Sequence, residues 1–298
     1  MSCPLSVVVP SHNRPDLLHN CLSSITRHCP PNTQWLVVDD ASPRAGVQAT
    51  AARFPGVQVV RREIRGGFCA AVNTGIRASC GDVVQVLNDD TEVTAGFAEP
   101  VLRRFSDPRV VAVTPLVLKG ERIDSTGDVY YPAGFARKRG HDEPLRSEHL
   151  RPGRVFGASG SASFYRRSTL LACGGFAEEL HAYFDDVDLS FRLNRQGMVW
   201  YEPQSRVYHR VSSSYGTASG ELLALQSRNE ELVFWRNLPL LQLLLWLPAH
   251  VAAVGLKGLL RLREGRLLPF LRGRVAAWSS AADVMRYRNC YTKNRENW

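Results

Sequence analysis

Cysteine is sparse and unpaired in this sequence: Cys3, Cys21, Cys29, Cys69, Cys80, Cys173 and Cys290 are odd in number, scattered, and include no CxxC. That pattern excludes a disulfide framework and a cysteine-based zinc site, and it fits a reducing cytoplasmic setting. No basic start followed by an apolar core opens the chain, because Leu5-Ser6-Val7-Val8-Val9 already reads as a strand, so export is not expected. No GxGxxG follows that strand, which removes the fingerprint of a nicotinamide oxidoreductase. Internal repeats, low-complexity tracts and a recognisable nucleic-acid module are also missing.

What is present is an ordinary globular composition. Charged residues make up 22% and hydrophobic residues 44% of 298 positions, enough to bury a full core in one large domain or one domain with an appendage. The formal charge of +9 points to an anionic partner: nucleotide phosphates, nucleic acid or an acidic membrane face.

Short β-branched runs alternate with amphipathic stretches over the first 120 or so residues, as in βαβ units on a mostly parallel sheet. Strands are expected at Leu5–Val9, Trp35–Val38, Val57–Val60, Val83–Leu87 and Val110–Thr114. Pro15-Asp16 opens a helix with Leu18, Cys21, Leu22 and Ile25 at helical spacing, and Pro30-Pro31 stops it. A second helix is expected from Gly67 to Ala78. Between Gly120 and Arg154 the pattern loosens into a functional loop or small subdomain. A strand at Ser161–Tyr165, a helix carrying Asp186, Leu189, Ser190 and Leu193, and a strand at Met198–Tyr201 follow.

The chain changes character after residue 236. Leu238–Leu247 and Val251–Val254 are apolar, interrupted by Pro239, Gln242, Pro248, His250 and Gly255, which makes a marginal span. Lys257, Arg261, Arg263, Arg266, Arg272 and Arg274 then interleave with leucines, as on a helix resting on anionic lipid. The expected division is one α/β domain over 1–236, in two halves meeting at about 115 and 116, with a helical extension over 237–298. Peripheral contact with the inner face of the cell membrane through 238–275 is expected. Packing on the core, or on a second copy in a homodimer, is the other use of the same face.

Ligands of a parallel sheet gather beyond the carboxyl ends of its strands. There lie Pro10–Arg14, Asp39–Ser42 and Asn88-Asp89-Asp90. Adjacent carboxylates at a buried strand tip are costly without a positive partner, and hard oxygen ligands suit a divalent cation holding a phosphate. Asp185 and Asp186 stand at a helix start as caps or as site residues, and His209 lies in a strand-like segment. Trp200 and Tyr201 are either a ligand-stacking wall or core. The loop around Asp124, Gly127, Tyr130, Tyr131, Arg137 and Arg139 is a place to look for ligand or phosphate contacts.

The ordered set Val-Val-Val-Pro10-Ser-His-Asn13-Arg14, Val-Val-Asp39-Asp40-Ala-Ser42, Gly66-Gly67-Phe68 with Asn73-Thr-Gly75, Leu-Asn88-Asp89-Asp90, Gly174-Gly175-Phe176 and Asp185-Asp186-Val-Asp188-Leu-Ser-Phe-Arg192 resembles the family 2 glycosyltransferases, most of all the bacterial rhamnosyltransferase branch. The match runs from Leu5 to about Tyr215 and extends through Arg228-Asn229 to Pro239. The resemblance implies an α/β GT-A fold, a dTDP- or UDP-linked sugar donor, Mg²⁺ or Mn²⁺, and inversion at the anomeric carbon. It further implies transfer to a lipid-linked or polysaccharide acceptor in cell-envelope glycan synthesis. By position it makes Asp186 the catalytic base and Asp90 the foremost metal ligand, joined by Asp89 and His209. The donor pocket is implied at Pro10, His12, Asn13, Arg14, Asp39, Asp40, Gly67, Asn73, Asn88 and Asp89. Asn88 replaces the first Asp of the strict metal motif, and Arg65 stands where an Asn is more usual. A catalytically silent nucleotide-sugar-binding scaffold is the alternative, and intact Asp90 and Asp186 argue against it.

Overall fold

The computed structural model describes residues 3–210, 219–280, 282 and 284–288, so Cys290 and Tyr215 lie outside the described residues. The chain forms two compact units, Met1–Val129 with Arg137–Ser212 and Tyr130–Ala136 with Ser213–Trp298.

The first unit begins with β1 (Leu5–Ser11), α1 (Pro15–His28), β2 (Gln34–Asp39), α2 (Gly46–Ala51), β3 (Val57–Arg61), α3 (Gly67–Ala78) and β4 (Val83–Val86). It continues through β5 (Thr91–Val93), α4 (Ala98–Arg104), β6 (Val110–Lys119), β7 (Arg122–Ser125) and the paired β8 (Asp128–Tyr131) and β9 (Phe135–Lys138), whose connecting turn belongs to the second unit. It closes with β10 (Gly153–Val155), β11 (Phe164–Arg166), α5 (Arg167–Ala172), α6 (Asp185–Leu193) and β12 (Met198–His209).

The main sheet runs β10-β12-β6-β11-β4-β1-β2-β3, with β5 on β12 and β7 on β6. Strands β4, β1, β2 and β3 are parallel, and so are β6 and β12, while β11 runs antiparallel between β4 and β6. β1 and β4 are buried along their whole lengths, which explains their nearly unbroken Val and Leu content. α1 buries Leu18, Cys21, Leu22 and Ile25, starts at Pro15 and ends at His28 before Pro30. Each such aliphatic side chain contributes roughly 1.5–3 kcal/mol when fully buried.

Several expectations are extended or shifted. β6 runs on to Lys119, the strand expected at Ser161–Tyr165 is Phe164–Arg166, and the strand expected at Met198–Tyr201 continues to His209. The loosely patterned stretch from Gly120 contains β7, β8, β9 and β10. Tyr201 is fully buried with its hydroxyl donating to the His149 carbonyl at 2.7 Å, and Trp200 packs against the core, so the core reading holds for both.

The second unit consists of α7 (Gly220–Asn237), α8 (Leu240–Arg263) and α9 (Leu267–Trp278) with the turn Tyr130–Ala136. α7 carries Glu230 and Glu231, both of which pair with Arg274 of α9, while Lys257 of α8 pairs with Glu230. His250 stacks on Phe234 with ring centroids 3.8 Å apart. α8 runs unbroken through Pro248, and α7 groups with the C-terminal helices, so the compact division falls before α7 and not at 236.

Candidate active site

The site is built on the carboxyl ends of the strands of the first unit. Where β1 ends, Pro10 pairs with Val38 of β2, and the chain turns at Asn13, which has a left-handed backbone with φ of 54°. Ala41 after β2, and Tyr183 and Phe184 before α6, are likewise left-handed at φ of 54°, 66° and 62°. Non-glycine residues in that conformation are strained, and here they gather at the loops that carry the candidate acids.

The acids after β2 are engaged by the protein. Asp39 is fully buried, accepts the Ser42 N–H at 2.9 Å and pairs with Arg61. Asp40 accepts Arg62 Nε at 2.9 Å and the N–H groups of Gly66 and Gly67 at 3.0 and 2.8 Å. It thus caps α3 from a distance, a favourable place for a carboxylate. His12 Nδ1 lies 2.8 Å from the Asp40 carbonyl, and the Asn13 N–H donates to Ser42 Oγ at 2.9 Å. The Asn73 amide is committed elsewhere: it donates to the Phe176 carbonyl and Glu178 and accepts the Phe176 N–H, tying α3 to the loop before α6.

Asn88, Asp89 and Asp90 sit at the β4–β5 turn. Arg14 bridges the two carboxylates, with Nη atoms 3.1 Å from Asp89 Oδ1 and 3.1 Å from Asp90 Oδ2. Ser11 Oγ donates to Asp89 Oδ2 at 2.8 Å. Burial pushes Asp89 up to about 6, with Arg14 and Ser11 acting against it. The Asn88 side-chain oxygen is buried without a hydrogen-bond partner among the described residues.

His209 reaches this turn because β12 pairs antiparallel with β5, setting His209 opposite Thr91. Its Nε2 is 3.1 Å from Asp90 Oδ1 and its Nδ1 is 3.0 Å from Asp124 Oδ2. Burial alone would lower the imidazole pKa, but the two carboxylates outweigh it and raise it. Lys138 binds both Asp124 oxygens at 2.9 and 2.8 Å. A polar chain therefore runs Asp90, His209, Asp124, Lys138.

The second set of acids lies at the start of α6. Asp186 accepts the Gly160 N–H at 3.0 Å and the Val187 N–H at 2.9 Å. Burial raises its pKa, opposed by those two N–H groups and by the Lys138 charge. Lys138 thus touches Asp124 and acts on Asp186 through its charge alone. A Cβ at Gly160 would lie 3.2 Å from Asp186 Oδ2, so only glycine leaves the carboxylate this place. Asp188 forms a buried ion pair with Arg192 one turn on, the structural role expected of it. Asp185 is buried, and burial and the Asp186 charge raise its pKa.

Sequence reasoning missed Lys138 and Asp128. Asp128, at the start of β8, is 4% exposed, and its carboxyl makes no hydrogen bond or ion pair among the described residues. Arg137 and Arg139 flank Lys138 with the same charge, and the alternation of β9 is what turns Lys138 inward to Asp124.

Comparison with known proteins accords with this layout. A family profile described as Glycosyl transferase family 2 matches residues 6–172. The chain is 27% identical over 261 residues to the N-acetylglucosaminyl-diphospho-decaprenol L-rhamnosyltransferase of Mycobacterium tuberculosis (strain ATCC 25618 / H37Rv), covering 77% of this chain and 83% of that protein. It is 29% identical over 210 residues to the Pre-mycofactocin glycosyltransferase of the same strain, covering 69% and 42%. Among solved structures, GalNAc-T7 with UDP, GalNAc and Mn²⁺ aligns at TM-score 0.62 and 20% identity over 78% of this chain and 48% of that one. The mannosyltransferase PcManGT from Pyrobaculum calidifontis, in complex with GDP-Man and Mn²⁺, aligns at 0.57 and 19% over 95% and 76%. The fold is therefore of the GT-A kind, and the chain belongs to glycosyl transferase family 2 and is a glycosyltransferase.

Proposed function

We propose that this glycosyltransferase moves a sugar, with inversion, from a dTDP- or UDP-linked donor to a hydroxyl of a lipid-linked or polysaccharide acceptor. The observation that carries this reading is the pair of acid sets: Asp89-Asp90, from which contacts run through His209 and Asp124 to Lys138, and Asp186, on which the Lys138 charge acts. The rhamnosyltransferase relative, whose name specifies a decaprenol-linked acceptor, supports the choice of acceptor class.

The residues present fit a divalent cation. Asp89, Asp90 and His209 offer hard oxygen and imidazole donors, and the orphaned Asn88 oxygen is what a nearby ligand or its water would satisfy. When bound, Mg²⁺ or Mn²⁺ would supply Lewis-acid neutralisation of the departing diphosphate. Arg14 and the pocket of His12, Asn13, Asp39, Asp40 and Gly67 would hold the nucleotide. Asp186 accepts the acceptor hydroxyl proton as its oxygen attacks C1 from the face opposite the leaving group, a step worth roughly 10²–10⁴-fold. Its raised pKa suits a base.

The C-terminal helices support work at a cytoplasmic membrane face. α8 is long and apolar enough to cross a membrane by length and composition, and Leu241, Leu244, Leu245, Leu259 and Leu262 are exposed on it. With Arg261, Arg263, Arg266 and Arg272 beside them, they suit anionic lipid headgroups over an apolar layer. Flotation with phosphatidylglycerol vesicles, and none with phosphatidylcholine vesicles at high salt, is expected; no flotation with either removes the membrane part.

A thermal-shift panel of dTDP- and UDP-sugars with and without Mn²⁺ tests the donor reading. A true donor at about 100 times its dissociation constant stabilises by about 2.7 kcal/mol, only with the metal present. A shift with no donor, or one indifferent to Mn²⁺, contradicts it.

A further inference from the structure

Asp128 is a buried acid that the proposed reaction leaves unused. It opens β8, where its N–H and C=O bridge to Gly157, and a Cβ on Gly157 would lie 3.0 Å from its Cβ and 3.3 Å from its Oδ2. Gly160, three residues further along the same small-residue segment, abuts the Asp186 carboxylate in the same manner. One loop of small residues therefore lies against both carboxyls, Gly157 beside Asp128 and Gly160 beside Asp186.

The two acids are treated differently by the protein. Asp186 accepts two backbone N–H groups, which favours its ionised form. Asp128 accepts none, and its Oδ2 is buried and unpartnered. Tyr165, fully buried on β11 and close enough to feel Asp128, Asp185 and Asp186, also has an unpartnered hydroxyl. Buried polar groups are nearly always hydrogen-bonded, so two buried groups with hydrogen-bonding capacity to spare beside one candidate base suit a polar ligand.

We propose that Asp128 reads the acceptor: its unpartnered carboxyl donates a hydrogen bond to an oxygen of the acceptor sugar neighbouring the hydroxyl that reacts. This rests on Asp186 being the base. The charges facing Asp128 agree with a neutral, donating acid. Burial and then the charge of Asp186 push its pKa well up, Asp185 and Asp124 add to that, and Lys138 alone opposes them. A carboxyl kept protonated in this way is a hydrogen-bond donor at neutral pH. A polyhydroxylated acceptor presents oxygens on adjacent carbons, so one can meet Asp128 while the next gives its proton to Asp186.

The experiment compares Asp128→Leu and Asp128→Asn with the parent chain, using the donor selected by thermal shift and a set of octyl glycosides (glucoside, galactoside, N-acetylglucosaminide, rhamnoside) as acceptor probes. Asp128→Leu should raise the acceptor KM at least tenfold, leave donor KM and donor hydrolysis by water unchanged, and keep or raise Tm. Asp128→Asn, which keeps an N–H donor of the same shape, should stay within about threefold of the parent, in line with the modest cost of exchanging one good hydrogen bond for another. An unchanged acceptor KM in Asp128→Leu, or equal losses for water and sugar acceptors, overturns the proposal. Should Asp128→Leu fail to fold, Asp128→Ala is read by the same criteria. Failure of the base assignment shows separately, as transfer surviving in Asp186→Asn.

Discussion

Nε2 of His209 lies 3.1 Å from Oδ1 of Asp90, although the two residues are 119 positions apart in the chain. The contact follows from backbone pairing, since β5 and β12 set His209 opposite Thr91 and the Arg210 N–H on the Asp90 carbonyl. The other ring nitrogen meets Asp124, which fixes the ring and orients Nε2 toward the strand tip. Replacing Asp124 with Asn should therefore weaken Mn²⁺ binding by roughly 10–100-fold. Calorimetric Mn²⁺ titration checks this, and an unaltered affinity would separate Asp124 from metal binding.

Gly160→Ala tests the placement of Asp186. The new methyl would stand 3.2 Å from Oδ2, so the carboxylate must shift by a few tenths of an ångström. Misplacement of a catalytic group lowers kcat, here by up to about 100-fold, with little change in Tm. Wild-type kcat in this variant would mean that Asp186 does not need its present position.

Asn73→Ala separates two roles. The buried amide makes three hydrogen bonds across to Phe176 and Glu178. Removing it leaves the Phe176 N–H and carbonyl unsatisfied, a loss of roughly 2–4 kcal/mol, so Tm should fall while donor KM stays constant. The opposite result, a raised donor KM at unchanged Tm, would support the donor-binding role implied by the family resemblance.

The second unit should lose stability in acid. Burial pushes the Glu231 carboxyl up, but hydrogen bonds from His250 and Trp235 and the Arg274 charge more than offset this and hold it at about 2. A depressed carboxylate stabilises the fold above its unfolded pKa, and the gain is lost as pH falls from about 4.5 toward 2, at most about 3 kcal/mol. Helical unfolding monitored by circular dichroism across that range should show the loss, and Glu231→Gln should flatten it.

Much of the first unit was legible because its parallel strands are rich in Val and Leu and the chain turns polar where β1, β2 and β4 end. Asp39, Asp89 and Asp90 could be placed at strand tips on that basis alone. His209 could not, because β12 passes through an irregularity between Glu202 and Arg206, around Pro203, where the strand pattern is lost. Lys138 and Asp128 were hidden for another reason. They stand in β8 and β9, strands of four residues each, and two-residue alternation over four residues is too brief a signal. Pro248 and Gly255 suggested breaks in a segment that the structure shows as one helix, because neither outweighs the helix-forming leucines around them.

The most direct measurement is single-turnover sugar transfer by Asp186→Asn alongside Mn²⁺-dependent donor binding. Donor binding should stay within about twofold of the parent while transfer falls by at least about 10²-fold, because only the proton acceptor has been removed. Transfer at the parental rate with donor bound would contradict the assignment of Asp186 as base, and with it the account of two acid sets serving one reaction.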